Sequence, residues 1–302
     1  MARFGIGLAA LGRPGYMTLG HAGDLRDTSV EGMFAQTCEV LDVGYAAGIR
    51  HLDTARSYGT GEHFAARWLA LRGHDDVTIS SKWGYRYTAG WQTQAPVHEV
   101  KDLSLAHFES QWLETQAVLG PRLSVYQIHS VTLESGVLDD AAVLNRLAQL
   151  RDSGVAAGLS STGADQAGVV RKAASLKRGG QRIFDWVQAT WNVLEPSVGD
   201  ALSEAKALGM HVIVKESLAN GRLTSRGDVG QLKQAATERG VTPDALALSV
   251  ALAQPFIDVV LLGVATVEQL QSNLKAHPRL DFAITAEVPA EYWAKRQRLA
   301  WT

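Results

Sequence analysis

A (β/α)8 barrel is the fold class this chain predicts. Short apolar or β-branched runs recur along its whole length, each followed by a turn and a segment of helical periodicity. Strictly alternating strands and helices imply a parallel sheet. Eight such units, with no Pro/Gly-rich linker or shift of composition across 302 residues, imply one closed barrel over 1–302 rather than an open doubly wound sheet.

The strand runs are 5–9, 49–53, 77–82, 124–129, 155–160, 185–188, 211–215 and 258–262. The helical segments are 31–47, 62–71, 105–119, 139–151, 165–175, 199–208, 243–253 and 267–275. Thr242 and Pro243 read as the cap and first turn of the seventh helix. Two stretches exceed the minimal repeat. Residues 84–104 carry Tyr85, Tyr87 and Trp91, and the tail 278–302 carries Tyr292, Trp293 and Trp301. Long aromatic segments of this kind are usually functional, so both are expected at the barrel mouth.

Composition narrows the functional class. Hydrophobic residues make up 46% and charged residues 20%, which suits a water-soluble globular chain. A formal net charge of -2 gives no basic surface for nucleic acid or anionic lipid, so a small-molecule partner is expected. The most apolar long stretch, 245–265, is broken by Gln254-Pro255 and Asp258 and reads as helix plus strand rather than a membrane span. The single cysteine, Cys38, excludes an internal disulfide and a cysteine metal cluster. The N-terminal residues lack the apolar core of a secretion signal, and the expected location is cytoplasmic. His51-x-Asp53 has no supporting histidine pair and is not read as a metal site. Gly5-Ile-Gly7 imitates a dinucleotide fingerprint but opens no helix.

In such barrels the reacting groups sit at the C-terminal strand ends. That rule selects Asp53, Lys82 and His129, with Tyr58 just beyond the second strand. A histidine closing an apolar strand is usually a satisfied core residue, and a rim lysine often just reaches solvent. Four such residues on one rim are harder to dismiss. A free phenol ionises near pH 10. A neighbouring ammonium, Lys82, is expected to draw Tyr58 down, with Asp53 keeping the lysine charged. The unit suits protonation of a forming oxyanion, with His129 orienting a carbonyl.

The segments Leu52-Asp-Thr-Ala-Arg-Ser-Tyr-Gly59 with Glu62, Ile79-Ser-Ser-Lys82, Leu123 to His129, Gly158-Leu-Ser-Ser161, Val187 to Asn192, Leu218 to Leu223 and Gly263 to Asn273 occur in one order over most of the chain. In that order they resemble the aldo-keto reductases. The resemblance implies an NAD(P)-dependent oxidoreductase that moves a hydride between a nicotinamide and an aldehyde, ketone or sugar-like carbonyl. It implies Asp53, Tyr58, Lys82 and His129 as the catalytic tetrad, with Tyr58 as general acid. Ser160, Ser161 and Gln188 match positions that hold the carboxamide, and Trp191 an aromatic stacked on the nicotinamide. Leu218, Asn220, Gly221 and Leu223 match the pyrophosphate segment. Gly263, Val264, Ala265, Gln269 and Asn273 match the adenosine segment. Trp83 and Trp91, with Trp191 and Trp301, are expected to wall an apolar substrate pocket.

The chain departs from the family pattern in places. Ser161 replaces an Asn, Glu216-Ser217 a Ser-Pro, and Leu262 a Pro. Segment 263–269 lacks the Lys or Arg that usually meets the 2′-phosphate of NADP, leaving Arg222, Arg226 and Lys275 as nearby candidates. The expectation is NADP, with NAD as the alternative. Two other functions fit the same residues: a cofactor-binding regulatory subunit, and a lyase using Lys82 as a Schiff base.

Overall fold

The computed structural model describes residues 3–302; Met1 and Ala2, where the N-terminal reading begins, lie outside it. Eight parallel strands close into a barrel: β1 (Arg3–Gly7), β2 (His51–Asp53), β3 (Thr78–Trp83), β4 (Leu123–Val131), β5 (Ala156–Ser161), β6 (Trp186–Thr190), β7 (His211–Lys215) and β8 (Val259–Leu262). Each pairs with its neighbours in sequence, and β1 pairs with both β2 and β8. Helices α1 (Val30–Ala46), α2 (Gly61–Arg72), α3 (Leu105–Leu119), α4 (Ala141–Ala148), α5 (Gln166–Ser175), α6 (Gly199–Ala207), α7 (Pro243–Leu252) and α8 (Val267–Asn273) alternate with them.

Local chemistry explains the helix starts. Ser29 accepts from Gly32 N–H to open α1, Ser104 from His107 N–H to open α3, and Asp140 from Ala142 and Val143 N–H to open α4. Thr242 holds the cap position of α7, but its hydroxyl makes no cap bond and meets Ser272 Oγ at 3.0 Å instead. The first strand ends at Gly7, short of the predicted 9, because Leu8 O accepts the Leu11 and Gly12 amides and turns the chain. Helix 139–151 stops at Ala148 and tightens into a 3-10 turn, Gln149–Ser153.

Further elements are not legible as periodic runs, and three of them are the following. The 84–104 stretch folds as a hairpin pairing Tyr85–Tyr87 with Glu99–Lys101. Helix Gly230–Glu238 precedes α7, and helix Pro289–Gln297 lies in the tail.

Strand parity decides what faces the barrel axis. On β3, Ser80 and Lys82 point inward, so Trp83 points out into the helical layer, where it is fully buried edge-on against Phe108 at 4.9 Å. Trp191, an odd step from Gln188, likewise faces outward and packs against Phe256. Neither lines the two cavities at the barrel mouth, so the expected substrate role of Trp83 and stacking role of Trp191 are both corrected to core packing. Gly158 faces inward, and a side chain there would meet Gln127 Cγ at 2.9 Å. The glycine thus leaves Gln127 room to reach the axis.

If Trp83 is a core residue, Trp83→Ala costs about 3–5 kcal/mol of unfolding free energy, while Trp83→Phe recovers most of it. Urea unfolding of the two variants checks this.

Candidate active site

Asp53 ends β2 and is buried. One carboxylate oxygen takes the Lys82 ammonium; the other accepts from Ser80 Oγ at 2.7 Å, Gln188 Nε2 at 3.0 Å and Gln127 Nε2 at 3.3 Å. Lys82 Nζ also donates to Thr54 O at 2.9 Å. Burial pushes the Lys82 ammonium down and Asp53 opposes it. An amine so enclosed and paired is a poor Schiff-base nucleophile.

Tyr58 reaches the axis on the turn after β2. Its hydroxyl lies 3.4 Å from His129 Nε2. Lys82 Nζ and Arg13 Cζ stand 4.9 and 5.1 Å from the Tyr58 ring centroid. The expected depression of the phenol does not occur. Burial raises Tyr58 well above its usual 10, Asp53's charge adds to this, and Arg13 opposes it. The Lys82 charge is spent on Asp53, so Tyr58 holds its proton firmly. Burial, with Lys82 next, pushes His129 well below its usual 6.5 and keeps the imidazole neutral.

A bulge aims His129. The β4–β5 register slips between Ile128 and Val131, and Ser130 adopts φ 53°. Ser160 Oγ accepts the Ser130 N–H at 2.8 Å and pins this kink. Ser160 therefore positions His129, and neither it nor buried Ser161 lines the cavity.

The cavity around Tyr58 is polar. Arg13, Glu99, Lys215, Glu216, Arg296 and Ser130 line it beside Asp53, Tyr58 and His129, with Gln188. Sequence reading did not find Arg13, Glu99 and Arg296, which come from loop, hairpin and tail. Arg13 Nη1 bonds Glu99 Oε2 at 2.9 Å and Ser57 O at 2.8 Å, while its buried Nε has no partner. Arg296 clamps Glu216, Nη2 to Oε1 at 2.5 Å. Burial alone would raise the Glu216 carboxyl, yet Arg296 and Lys215 hold it at about 2. Burial lowers Lys215 to about 8. Lys215 ends β7, so the strand-end rule could have found it. Trp91 does not line this cavity: its indole N–H donates to Thr28 O at 2.7 Å and ties two loops together, which corrects its expected substrate role.

At Tyr16, Glu216, Leu261 and Gly263 the cavity joins a cleft of about 310 Å3. Leu218, Asn220, Gly221, Gly263, Val264, Gln269 and Asn273 line the cleft; Leu223 and Ala265 are buried behind it. Asn220 and Gly221 take positive φ, and no atom stands within 4 Å of where a Gly263 side chain would begin. Ser217 Oγ, Asn220 Oδ1 and Asn273 Oδ1 are buried there without partners. Buried polar atoms without partners are costly, and a polar elongated ligand would satisfy them.

The model of the Aldo/keto reductase family matches residues 15–290. The chain belongs to this family. Its members are nicotinamide-dependent oxidoreductases, and the unpartnered polar atoms of the cleft suit such a cofactor. None of the curated proteins matches this aldo/keto reductase by sequence. Its fold resembles the holo form of aldo-keto reductase AKR11C1 from Bacillus halodurans, with TM-score 0.68 and 20% identity over 98% of this chain and 91% of that one. It also resembles the glycerol dehydrogenase AKR11B4 from Gluconobacter oxydans, with TM-score 0.68 and 18% identity over 98% and 90% of the two chains. Among the described residues no helix is long and apolar enough to cross a membrane, and no cluster of three or more His, Cys, Asp or Glu could hold a metal.

Stability should fall on acidification below about pH 6.5. Burial lowers His21 and His51 to about 4 and His129 well below its usual value, so between those values the unfolded chain binds more protons than the native one. Each histidine then contributes a slope of up to about 1.4 kcal/mol per pH unit. Urea midpoints at pH 7.5 and 5.5 test this, and equal midpoints would contradict it.

Proposed function

We propose that this aldo/keto reductase catalyses reversible hydride transfer between a nicotinamide dinucleotide and a small, sugar-like carbonyl or alcohol, with Tyr58 as proton donor in reduction. The observation that carries this reading is the approach of Tyr58 Oη and His129 Nε2, 3.4 Å apart, in a cavity continuous with the cleft. The bound cofactor supplies or takes up the hydride.

The residues do the rest. Neutral His129 has a ring N–H to orient a carbonyl oxygen. Tyr58, kept protonated by burial, delivers its proton to that oxygen as negative charge gathers there. The phenolate left behind is met by Lys82 and Arg13, whose charges lie near the ring. Their contribution is therefore realised in the transition state and not in the resting enzyme. In the oxidative direction each step reverses.

The cavity walls support a polyhydroxylated substrate. A hydroxyl both donates and accepts hydrogen bonds, and the pairs Arg13–Glu99 and Arg296–Glu216 offer both donors and acceptors along the wall. Apolar wall comes from Ala9, Met17, Leu261 and the rings of Tyr16 and Tyr58, interleaved with these pairs. An alkyl chain would bury the charged pairs without replacing their water.

Tyr58→Phe should lower kcat by about 10²–10⁴-fold while NADH still binds. Steady-state turnover over a panel of short aldoses, polyols and alkyl aldehydes, with a parallel fluorescence titration of NADH, checks both halves. Near-normal turnover by the variant would sink the role of Tyr58. A preference for alkyl aldehydes over hydroxylated ones of equal length would sink the substrate class.

A further inference from the structure

The far part of the cleft distributes its charges unusually. Arg226 is the one cation among the described residues that line it. A free guanidinium there would be the natural partner of a phosphate dianion. Asp24, whose side chain is only 6% exposed, holds that guanidinium in a fork, Nη2 to Oδ1 at 2.5 Å and Nη1 to Oδ2 at 2.7 Å. The same Oδ2 takes Gln269 Nε2 at 2.8 Å, and Gln269 Oε1 takes the Ala265 N–H at 2.8 Å. Thus the cleft's cation and its nearest amide are both committed to one buried carboxylate.

Two carboxylates line the same cleft, Asp244 and Glu268, neither in an ion pair among the described residues. Asp244 Oδ2 accepts Asn273 Nδ2 at 2.7 Å, so its other oxygen remains available as an acceptor. Arg26 is near enough to Glu268 to draw its carboxyl down, but its guanidinium is bonded to Glu39 Oε2 at 2.5 Å. Arg222 is turned to Glu287 at 2.7 and 3.1 Å, and Lys275 does not line the cleft.

We infer that this cleft selects the dinucleotide with a free ribose 2′-hydroxyl, NAD(H), over NADP(H), and that Asp24 sets the preference by neutralising Arg226. The inference rests on the oxidoreductase reading above. A 2′-hydroxyl donates to a carboxylate, the device acidic residues supply in other dinucleotide sites. A phosphate monoester instead brings nearly two negative charges against Asp244 and Glu268, with no uncommitted cation to meet them. Electrostatics therefore reverses the expectation of NADP.

Fluorescence titration of the full-length protein with NADH and NADPH tests this without relying on turnover. The wild type should bind NADH at least about tenfold more tightly, the order of one charge-assisted hydrogen bond. Asp24→Asn, which releases Arg226, should raise the NADPH-to-NADH affinity ratio by about tenfold. Glu268→Gln, at an exposed side chain, should raise it by roughly threefold even if the first variant does not fold. Equal or tighter NADPH binding by the wild type, or an unchanged ratio in Glu268→Gln and in folded Asp24→Asn, would overturn the inference and leave the oxidoreductase reading standing. Failure to bind either nucleotide would overturn both.

Discussion

Everything at the mouth of this barrel is referred to one carboxylate. Asp53 receives donors from β3, β4 and β6 at once, through Ser80 and Lys82, Gln127, and Gln188. A buried charge survives only when paired and hydrogen-bonded, and here the pairing doubles as registration of four strands around one axis. The lysine so held lies beside the Tyr58 ring, and the glutamine so held lies in the cavity wall. Structural cost and chemical placement are therefore the same set of bonds.

A second constraint is that charges at this site are cancelled locally and in pairs. Lys82 with Asp53, Arg13 with Glu99 and Arg296 with Glu216 bring opposite charges together around one cavity. In the last pair Arg296 holds down a Glu216 carboxyl that burial alone would raise. Tyr58 and His129 have no such partner, and burial drives both toward their neutral forms. The contrast separates groups that hold fixed charge from groups that hold or pass a proton.

The alternation of elements, and hence the closed barrel, could be read from apolar periodicity, because each strand and helix must bury one face. Asp53, Lys82 and His129 were legible because strand ends are positions that sequence reveals. Trp83 and Trp191 were misread for a reason that was also available: both stand an odd step from an inward residue, so parity sends them to the helical layer. Arg13, Glu99 and Arg296 carry no such periodic mark. Their meeting is a tertiary contact between residues 86 apart in sequence for Arg13 and Glu99 and 80 apart for Glu216 and Arg296. The phenol's protonation state was also out of reach, since it depends on burial and on where Lys82 spends its charge. The Ser160 contact to Ser130 shows a further limit, for a family position became a prop for a neighbouring strand's bulge.

The tail helix Pro289–Gln297 lies C-terminal to all eight strands, and Trp301 stacks on His98 at 4.1 Å while Thr302 and Tyr16 exchange backbone hydrogen bonds at 3.1 Å. Synthesis is vectorial, so barrel strands can pair before this segment leaves the ribosome. Until it docks, Glu216 lacks the Arg296 guanidinium, and Arg13 lacks the Trp301 ring that covers it at 4.7 Å. Closure of the sheet and completion of its pocket thus draw on separate stretches of the chain, the second on a segment synthesised after every strand.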